Sequence, residues 1–425
     1  MTLRRVLLTA VAVGILAVLG GYALMWRPAI APAATSAKAQ IDRKAIDHGA
    51  ELASIGNCAD CHTSANGAAY AGGRPIPTPF GTIYASNLTP DGETGIGSWP
   101  EEAFRRAMRD GVDREGRQLY PAFPYDHFTH ATDADIHAIY AFLMSKPAVR
   151  NAVPANELAF PFSFRPIVAG WKLLFLRRDG LEPDAGKSAE WNRGRYLVEG
   201  LGHCGSCHTP RNALGGEKRG SAYAGGAAEG WNAPPLNASL VTAHKWTVDQ
   251  LAEYLSTGWH RLHGAAAGPM ADVAKNLGRA SQGDVHAIAT YIASLSPGAE
   301  GAKPAIPAGG KILTDQPAEV VAIYNGACAK CHNDRLDVGP SQAISLAYST
   351  AVQQPQSANA VRVVMHGIEA YRTGGGPYMP AFEGILTDKQ IASVVQYVRA
   401  RYTDRPQWTD VNSQIAKARQ EGAQP

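Results

Sequence analysis

The chain has 425 residues, of which 18% are charged, and its formal net charge is +3. A chain of this length is expected to form about three domains of 100–200 residues each. The small net charge gives no sign of a nucleic-acid-binding surface, so no nucleic-acid partner is expected. The high counts of glycine (44) and proline (28) are consistent with short helices joined by long irregular loops.

The N-terminal segment, residues 1–40, combines a positive flank with an apolar run. Arg4 and Arg5 precede an uncharged apolar stretch over residues 6–26, and alanine- and proline-rich sequence follows. A run of about 20 apolar residues can span a bilayer, whereas a cleaved signal has an apolar core of about 7–15 residues. We predict an apolar helix and tether, retained as an anchor or cleaved near 29–34. Either way, the remaining chain is expected on the periplasmic side of the bacterial inner membrane.

The pattern Cys-x-x-Cys-His occurs three times, at residues 58–62, 204–208 and 328–332, and uses all six cysteines. It is the attachment pattern of a c-type haem, in which two thiols form thioethers with the porphyrin and the histidine ligates the iron. We therefore predict three haem c groups. The predicted covalent attachment residues are Cys58, Cys61, Cys204, Cys207, Cys328 and Cys331. The predicted proximal iron ligands are His62, His208 and His332.

Other uses of a Cys-x-x-Cys pair fit the chain less well. A thioredoxin-like dithiol does not need a histidine in the next position three times over. A structural zinc ion takes four ligands, and three cysteine pairs do not divide into fours. A disulfide framework is expected in chains much shorter than this one.

Helical patterns surround each motif in the same order. Domain 1 (41–147) is predicted to have helices over 41–57, 99–110 and 133–144, and domain 2 (189–296) over 189–201, 246–258 and 282–294. Domain 3 (314–403) has predicted helices over 317–327, 358–367 and 388–401. The repeated pentapeptides at 135–139 and 284–288 support an internal duplication. The predicted class is mainly α, with three tandem domains after the N-terminal apolar helix.

Three segments lie outside these domains. Residues 297–313 are a Pro/Gly/Ala-rich linker and residues 404–425 a tail without a motif. Residues 148–188 form a longer and more apolar linker, in which 160–178 is too short and interrupted to span a bilayer. It is either a strap in the seam between domains 1 and 2 or a surface element that contacts a membrane or partner. Its predicted anchors are Trp171, Phe175, Arg177 and Arg178.

Three helices around a Cys-x-x-Cys-His resemble the class I cytochrome c fold. Tyr140, Tyr291 and Tyr397 recur in the last helices, where that fold packs an aromatic residue on the first helix. The resemblance also implies a methionine ligand from the loop before the last helix. Met379 and Met270 occupy that loop in domains 3 and 2, and Met108, Met144 and Met365 are read as core residues.

Domain 1 departs from this pattern. Its corresponding loop, residues 120–130, has Phe123 where a methionine is expected, and phenylalanine cannot ligate iron. His127 is the predicted sixth ligand, which gives a bis-histidine haem of lower potential, and His130 is the lesser candidate. A five-coordinate iron, or one with another ligand, stays open.

Beyond the single domain, the exported chain resembles the three-haem cytochrome c subunits of membrane-bound bacterial alcohol, gluconate and aldehyde dehydrogenase complexes. The residues that carry this resemblance are the three motifs, the segments 78–91 and 119–122, and the apolar linker over 160–176. Phe123 follows Tyr-Pro-Ala where the alcohol dehydrogenase branch has its axial methionine. In this respect the chain resembles the cytochrome partners of molybdenum hydroxylases instead. Those hydroxylases oxidise aldehydes or N-heteroaromatic compounds.

The resemblance implies an electron-transfer subunit rather than a catalytic one. It would pass electrons from a periplasmic dehydrogenase, preferably a molybdopterin aldehyde dehydrogenase with an iron–sulfur subunit, to ubiquinone or another respiratory acceptor. A PQQ- or flavin-dependent alcohol or gluconate dehydrogenase is the alternative partner. Two other functions stay open: a peroxidase-like haem enzyme with an open first haem, and a freely diffusing carrier.

Overall fold

The described part of the structure, a computed structural model, comprises residues 26–33, 42–237, 246–260, 262–296, 310–332, 346–368 and 378–422, with Arg5, Ala12, Gly14, Gly20 and Gly21. The predicted N-terminal apolar helix and most of the 297–313 linker therefore lie outside the described residues. Among the described helices, none has the length and apolar character needed to cross a membrane.

The chain forms two compact units. Unit 1 comprises residues 1–182 and 199–203, and unit 2 comprises residues 183–198 and 204–425. The first motif lies in unit 1, and the second and third motifs both lie in unit 2. Each unit is mainly helical, as predicted.

Unit 1 places its helices around one apolar core. The helices are α1 (Arg43–Ile55), α2 (Cys58–Cys61), α3 (Glu101–Asp110), α4 (Tyr125–Phe128), α5 (Asp133–Met144) and α6 (Ile167–Phe175). Strands β1 (Pro75–Thr78), β2 (Gly81–Tyr84) and β3 (Glu157–Leu158) form an antiparallel sheet in that order. Pro75 pairs with Tyr84, and Gly81 pairs with Leu158.

Helices α1 and α5 cross at a glycine. The Asp42 and Thr132 side chains cap their N-termini. At Gly49 an added Cβ would lie 1.9 Å from the Ala138 carbonyl oxygen and 2.9 Å from Phe142 Cβ, so the backbones touch. The aromatic residue at this crossing is Phe142 and the prediction for Tyr140 is wrong. Tyr140 packs on Phe104 of α3 instead.

Unit 2 repeats this arrangement around the second motif. Its first elements are α7 (Ala189–Glu199), α8 (Gly205–His208), β4 (Gly226–Ala228), β5 (Trp231–Ala233) and α9 (Val248–Thr257). They are followed by β6 (Trp259–His260), β7 (Gly264–Ala265), α10 (Pro269–Leu277) and α11 (Gln282–Ser294). Strands β4 and β5, and strands β6 and β7, form two antiparallel hairpins.

The crossing of α7 and α11 matches that of α1 and α5. An added Cβ at Gly194 would lie 1.9 Å from the Ala287 carbonyl oxygen and 2.9 Å from Tyr291 Cβ. The Tyr291 ring lies 5.1 Å from that of Trp191 on α7, as the sequence predicted. The internal duplication is therefore visible in the packing.

The third-motif region of unit 2 is also helical. Its helices are α12 (Ala318–Ile323), α13 (Thr350–Gln353), α14 (Ala358–His366), α15 (Asp388–Tyr402) and α16 (Val411–Glu421), with a π-helical turn at Tyr324–Cys328. Tyr397 packs on Tyr324, with ring centroids 5.0 Å apart, which confirms its predicted position. Helix α16 was not predicted. It buries Ile415 against the core that α14 and α15 share.

The apolar linker forms helix α6, which packs on unit 1. Val168, Ala169 and Lys172 are buried. The predicted anchors Trp171 and Phe175 are partly buried, and the Trp171 ring contacts both Tyr125 and Phe175. Other apolar residues of the segment are more exposed: Phe160, Phe164, Ile167, Leu173 and Leu174.

Candidate functional site

The first motif lies on the short helix α2, directly after α1. Asn57 has a left-handed backbone (φ 55°) that turns the chain between the two helices. Cys58 and Cys61 begin and end α2, so one helical turn separates the two thiols. His62 ends this turn, and its N–H donates to the Cys58 carbonyl oxygen at 3.1 Å.

The His62 ring is oriented by a backbone carbonyl. Its Nδ1–H donates to the Ser86 carbonyl oxygen at 2.7 Å, so the neutral ring carries its lone pair on Nε2. Burial lowers the pKa of His62, and the hydrogen bond to Ser86 opposes this shift in part. An iron-ligating histidine needs this neutral ring with its other nitrogen bonded to a fixed acceptor.

A hydrogen-bonded loop holds Ser86 in place. The Asn87 Oδ1 atom accepts from the Thr89 N–H and Oγ1–H at 2.9 and 2.7 Å. The Asn87 amide donates to the Val149 carbonyl oxygen at 2.8 Å. Both side chains are almost fully buried, so the loop is fixed from within.

The second motif reproduces this geometry. The His208 Nδ1–H donates to the Pro234 carbonyl oxygen at 2.7 Å, and burial lowers the pKa of His208. In both motifs the histidine carbonyl accepts from a glycine N–H at 2.8 Å, from Gly72 for His62 and from Gly225 for His208.

The sequence contained a signal for this shared loop that the prediction missed. Tyr-Ala-Gly-Gly occurs at residues 70–73 and again at 223–226. The N–H groups of Tyr70 and Tyr223 each donate to the threonine that follows the motif histidine, at 3.1 Å. Both tyrosines have positive φ, 64° and 58°, so the repeat specifies an unusual backbone turn.

At the third motif, two tyrosine hydroxyls lie close to the histidine carbonyl oxygen. The hydroxyl groups of Tyr324 and Tyr402 lie 2.9 and 3.0 Å from the His332 carbonyl oxygen. The two hydroxyls are 2.6 Å apart. Among the described residues, two tyrosine hydroxyls thus donate to the carbonyl oxygen of the third motif histidine.

The first thiol of each motif is poorly suited to thiolate chemistry. Burial, followed by the neighbouring motif cysteine, raises the pKa of Cys58 and of Cys204 to about 12 and that of Cys328 to about 11. Redox-active and metal-binding cysteines need a lowered pKa instead. Among the described residues, no motif cysteine belongs to a cluster of three or more metal-ligand side chains.

The distal loop of unit 1 contains both predicted histidines. Phe123, which stands in the sequence where a methionine was expected, is partly buried and packs against the core of unit 1, with its ring 5.3 Å from that of Phe128. His127 on α4 is buried, and its Nδ1–H donates to the Glu199 carbonyl oxygen at 2.8 Å. This gives His127 the tautomer of His62 and His208. His130 is partly buried, and burial lowers its pKa.

The predicted methionine ligands of unit 2 lie on ordered backbone. Met270 is the second residue of α10, after a positive-φ glycine, Gly268. Met379 pairs with Ile368 through two backbone hydrogen bonds of 2.9 Å. Both methionine side chains are partly buried. Met365 is fully buried in the core of the third-motif region, which agrees with its interpretation as a core residue.

Three further histidines lie close to carboxylate groups. His48 Nε2 lies 2.9 Å from Asp135, His137 Nδ1 lies 2.9 Å from Glu101, and His286 Nδ1 lies 2.6 Å from Glu190.

Helices around a Cys-x-x-Cys-His, with the histidine ring fixed through Nδ1, define a cytochrome c. Residues 46–147 match the family described as "Cytochrome c". Residues 315–398 match the family described as "Cytochrome C oxidase, cbb3-type, subunit III". Haem c is therefore the cofactor of this class of domain.

Three relatives extend the comparison to most of the chain. A nicotinate dehydrogenase subunit of Pseudomonas putida is 45% identical over 93% of this chain, which covers 34% of that relative. The chain thus spans about a third of its length. The fructose dehydrogenase cytochrome subunit of Gluconobacter japonicus is 35% identical over 86% of this chain and 80% of its own length.

The third relative, the cytochrome c subunit of the alcohol dehydrogenase (quinone) of Gluconobacter oxydans, is 35% identical over 90% of this chain and 84% of its own length. These matches place the chain in a family: it belongs to the cytochrome c subunits of dehydrogenase complexes. This confirms the resemblance drawn from the motifs and the electron-transfer role it implied.

Proposed function

We propose that the protein carries three haem c groups and passes electrons from a periplasmic dehydrogenase to ubiquinone or another respiratory acceptor. The observation that carries this proposal is the repeated proximal geometry, in which His62 and His208 bond a backbone carbonyl through Nδ1. When bound, haem c supplies a one-electron iron couple. The chain orients the ligands, excludes water and spaces the three attachment motifs.

Each attachment motif has a defined role in this proposal. The paired cysteines bind the haem covalently, the motif histidines ligate the iron from one side, and Met270, Met379 and His127 are the proposed ligands on the other side. The carbonyl groups of Ser86 and Pro234 accept the Nδ1 protons, which keeps Nε2 basic and directed by the fold. No substrate-binding residue is assigned to this chain.

The proposed partner is a molybdopterin dehydrogenase with an iron–sulfur subunit that oxidises an aldehyde or an N-heteroaromatic compound. Two observations support this choice over a PQQ or flavin subunit. Phe123 replaces the expected methionine. The relative in Pseudomonas putida is named for nicotinate, an N-heteroaromatic carboxylate.

Substrate-driven haem reduction in membranes tests the partner. Membranes from cells with and without this chain are supplied with an aldehyde, nicotinate, a primary alcohol or gluconate, and reduced haem c is recorded. We expect reduction with the first or second substrate only, and its loss in cells grown with tungstate in place of molybdate. Tungstate-resistant reduction by an alcohol or gluconate would contradict the molybdopterin assignment and leave the electron-transfer role intact.

We also propose that α6 contacts the surface of the inner membrane. Its outward residues Leu173 and Leu174 are 66% and 64% exposed, and Phe160, in the segment before the helix, is 85% exposed. Arg177 and Arg178 follow directly and suit an anionic lipid surface.

Vesicle binding of the full chain tests this contact. We expect the Leu173→Ser/Leu174→Ser double variant to lose binding to anionic vesicles. Ile385→Ser, at an exposed apolar residue of unit 2, is the matched control and should bind as the wild type does. Equal binding of both variants would contradict a contact through α6.

A further inference from the structure

The β4–β5 hairpin of unit 2 contacts both the second motif and the third-motif region. Its two turn residues, Glu229 and Gly230, have φ of 49° and 79°, as a two-residue turn with positive φ at both positions requires. Such a turn gives a short, twisted hairpin with a fixed register, in which Ala228 pairs with Trp231. The hairpin is therefore a defined structural element, although its sequence reads as a loop.

The base of the hairpin is attached to the second motif. An added Cβ at Gly226 would lie 2.3 Å from the Cys207 carbonyl oxygen, so the first strand runs directly against the motif backbone. Pro234 follows the second strand and accepts the hydrogen bond from His208 Nδ1. Any displacement of the hairpin therefore moves the acceptor that orients this iron ligand.

The second strand is bound to α14 by a side-chain amide. The Asn232 N–H donates to Asn359 Oδ1, and Asn359 Nδ2–H donates to the Asn232 carbonyl oxygen, both at 2.8 Å. Asn359 thus takes the place that a neighbouring strand would occupy. Two hydrogen bonds in one plane fix both the distance and the rotation of the strand relative to α14.

The turn of the hairpin is bound to the same helix by a buried arginine. Arg362 is 2% exposed, and its Nε–H donates to the Gly230 carbonyl oxygen at 2.9 Å. Its guanidinium also pairs with Glu421 of α16. A Cβ at Gly230 would lie 2.3 Å from Arg362 Nη2, so glycine is required for this approach as well as for the turn.

The hairpin also reaches the distal loop of the second site. The Trp231 indole lies against Gly268, where an added Cβ would be 2.3 Å from Cε2. Gly268 precedes Pro269 and Met270, the proposed sixth ligand. The same short hairpin therefore contacts the segments that contain both proposed ligands, His208 and Met270.

Helix α14 connects this contact to the third site. It ends at His366 and is capped by Gly367, and the next residue, Ile368, forms two backbone hydrogen bonds with Met379. A continuous hydrogen-bonded connection thus runs from His208 through Pro234, the hairpin and α14 to Met379.

We propose that this connection couples the second and third haem sites, and that Asn359 and Arg362 are positioning residues for electron transfer between them. The inference rests on the proposed function, in which both motifs carry haem. A fixed spacing matters because transfer between two centres slows steeply as they separate. Binding the hairpin to α14 from both its strand and its turn removes the two motions, sliding and rotation, that would change the spacing.

The test uses full-length protein loaded with haem and follows redistribution of one electron between the second and third haems after rapid photoreduction. We expect Asn359→Ala and Arg362→Met each to slow this step roughly tenfold or more, which corresponds to about 1.4 kcal/mol. Arg362→Lys, which keeps the charge beside Glu421, should fall between Arg362→Met and the wild type. A role in folding alone would lower the unfolding temperature and leave the rate unchanged.

Arg419→Met is the matched control, because it removes exposed ion pairs of α16 with Glu383 and Asp388 and does not contact the hairpin. Its transfer rate should equal that of the wild type. Wild-type transfer rates in both Asn359→Ala and Arg362→Met would overturn the inference. If Arg362→Met does not fold, the transfer rate of Asn359→Ala alone decides the test. Haem content separates the two failures: fewer than three haems in the wild type contradicts the proposed function itself, whereas three haems with unchanged rates contradict only the coupling.

Discussion

The first and second motifs share one proximal arrangement and differ on the distal side. His62 and His208 both donate Nδ1–H to a backbone carbonyl oxygen at 2.7 Å, and the carbonyl oxygen of each histidine accepts from a glycine N–H at 2.8 Å. On the other side, unit 1 has Phe123 and His127 where unit 2 has Met270. In the proposed ligand assignment, the two motifs therefore share the half that holds the cofactor and differ in the half that sets its potential.

This difference has a simple physical basis. The proximal half depends on backbone hydrogen bonds and on the close crossing of two helices. The crossing occurs at Gly49 in unit 1 and at Gly194 in unit 2, where an added Cβ would overlap a carbonyl oxygen. The distal half depends on one side chain in a loop. A single exchange there alters the ligand while the fold stays the same.

Removing the covalent attachment should have the largest effect. We expect Cys58→Ala/Cys61→Ala and Cys204→Ala/Cys207→Ala each to reduce the haem content by one per chain, because each double variant removes both thiols that form the thioethers to one haem. Intact-mass spectrometry and a peroxidase-based haem stain measure the content. A chain that keeps three haems in either double variant would contradict the attachment sites.

Exchanging the distal ligands should affect one site each. We expect His127→Ala to produce a high-spin signal from the first site, and Met270→Ala to remove one methionine–iron band in the near infrared. Electron paramagnetic resonance and near-infrared absorption of the oxidised protein measure the two results. His130→Ala is the control for His127; a high-spin signal in this variant alone would make His130 the ligand.

Filling the helix crossings should destabilise both units in the same way. Gly49→Ala and Gly194→Ala each place a Cβ 1.9 Å from a carbonyl oxygen, and such overpacking typically costs about 1–3 kcal/mol. Gly283→Ala on α11 is the matched control, since no atom lies within 4 Å of its added Cβ. It should be neutral or stabilising by up to about 1 kcal/mol. Thermal unfolding followed by circular dichroism distinguishes the three variants, and an unchanged Gly194→Ala would show that the crossings are not equivalent.

The smallest effect concerns Lys172, a buried lysine on α6 of unit 1. Lys172 donates to the Gly111 carbonyl oxygen and to Gln118 Oε1, both at 2.6 Å, and burial lowers its pKa from 10.5 to about 7. Between these pH values the unfolded chain binds more protons than the folded one, so this lysine makes stability rise with pH.

We therefore expect Lys172→Met to flatten the dependence of the unfolding free energy on pH between about 7 and 10. Urea unfolding at several pH values measures it. Lys44→Met, at an exposed lysine on α1, is the control and should keep the wild-type slope. A wild-type slope in Lys172→Met would show that the lysine stays protonated in the folded state.

Much of the fold could be predicted from the sequence, because apolar periodicity and capping residues identify long helices. The helix predicted at 133–144 is Asp133–Met144 in the structure, and the one predicted at 282–294 is Gln282–Ser294. The β4–β5 hairpin could not be recognised in this way, since Gly-Ala-Ala-Glu-Gly-Trp-Asn-Ala has no alternating apolar pattern. Helix α16 was missed because only a few of its residues, such as Ile415, are apolar.

The candidate site was predictable only where side chains carry the signal. The Cys-x-x-Cys-His motif can be recognised from the sequence alone, because thioether and iron bonds need those residue types at that spacing. The acceptors at Ser86 and Pro234 are backbone carbonyls, which any residue possesses, so no residue type marks them. The prediction for Tyr140 failed for a related reason: Tyr140 and Phe142 lie two positions apart on α5, and only the three-dimensional crossing distinguishes them.

The most direct test of the contrast between the two sites is the near-infrared magnetic circular dichroism spectrum of the oxidised full-length protein. This method separates histidine–histidine from histidine–methionine iron by the position of the ligand-to-metal band. We predict one bis-histidine site and two histidine–methionine sites, with the bis-histidine band lost in His127→Ala. Three histidine–methionine bands, or a high-spin band from the first site in the wild-type protein, would contradict it.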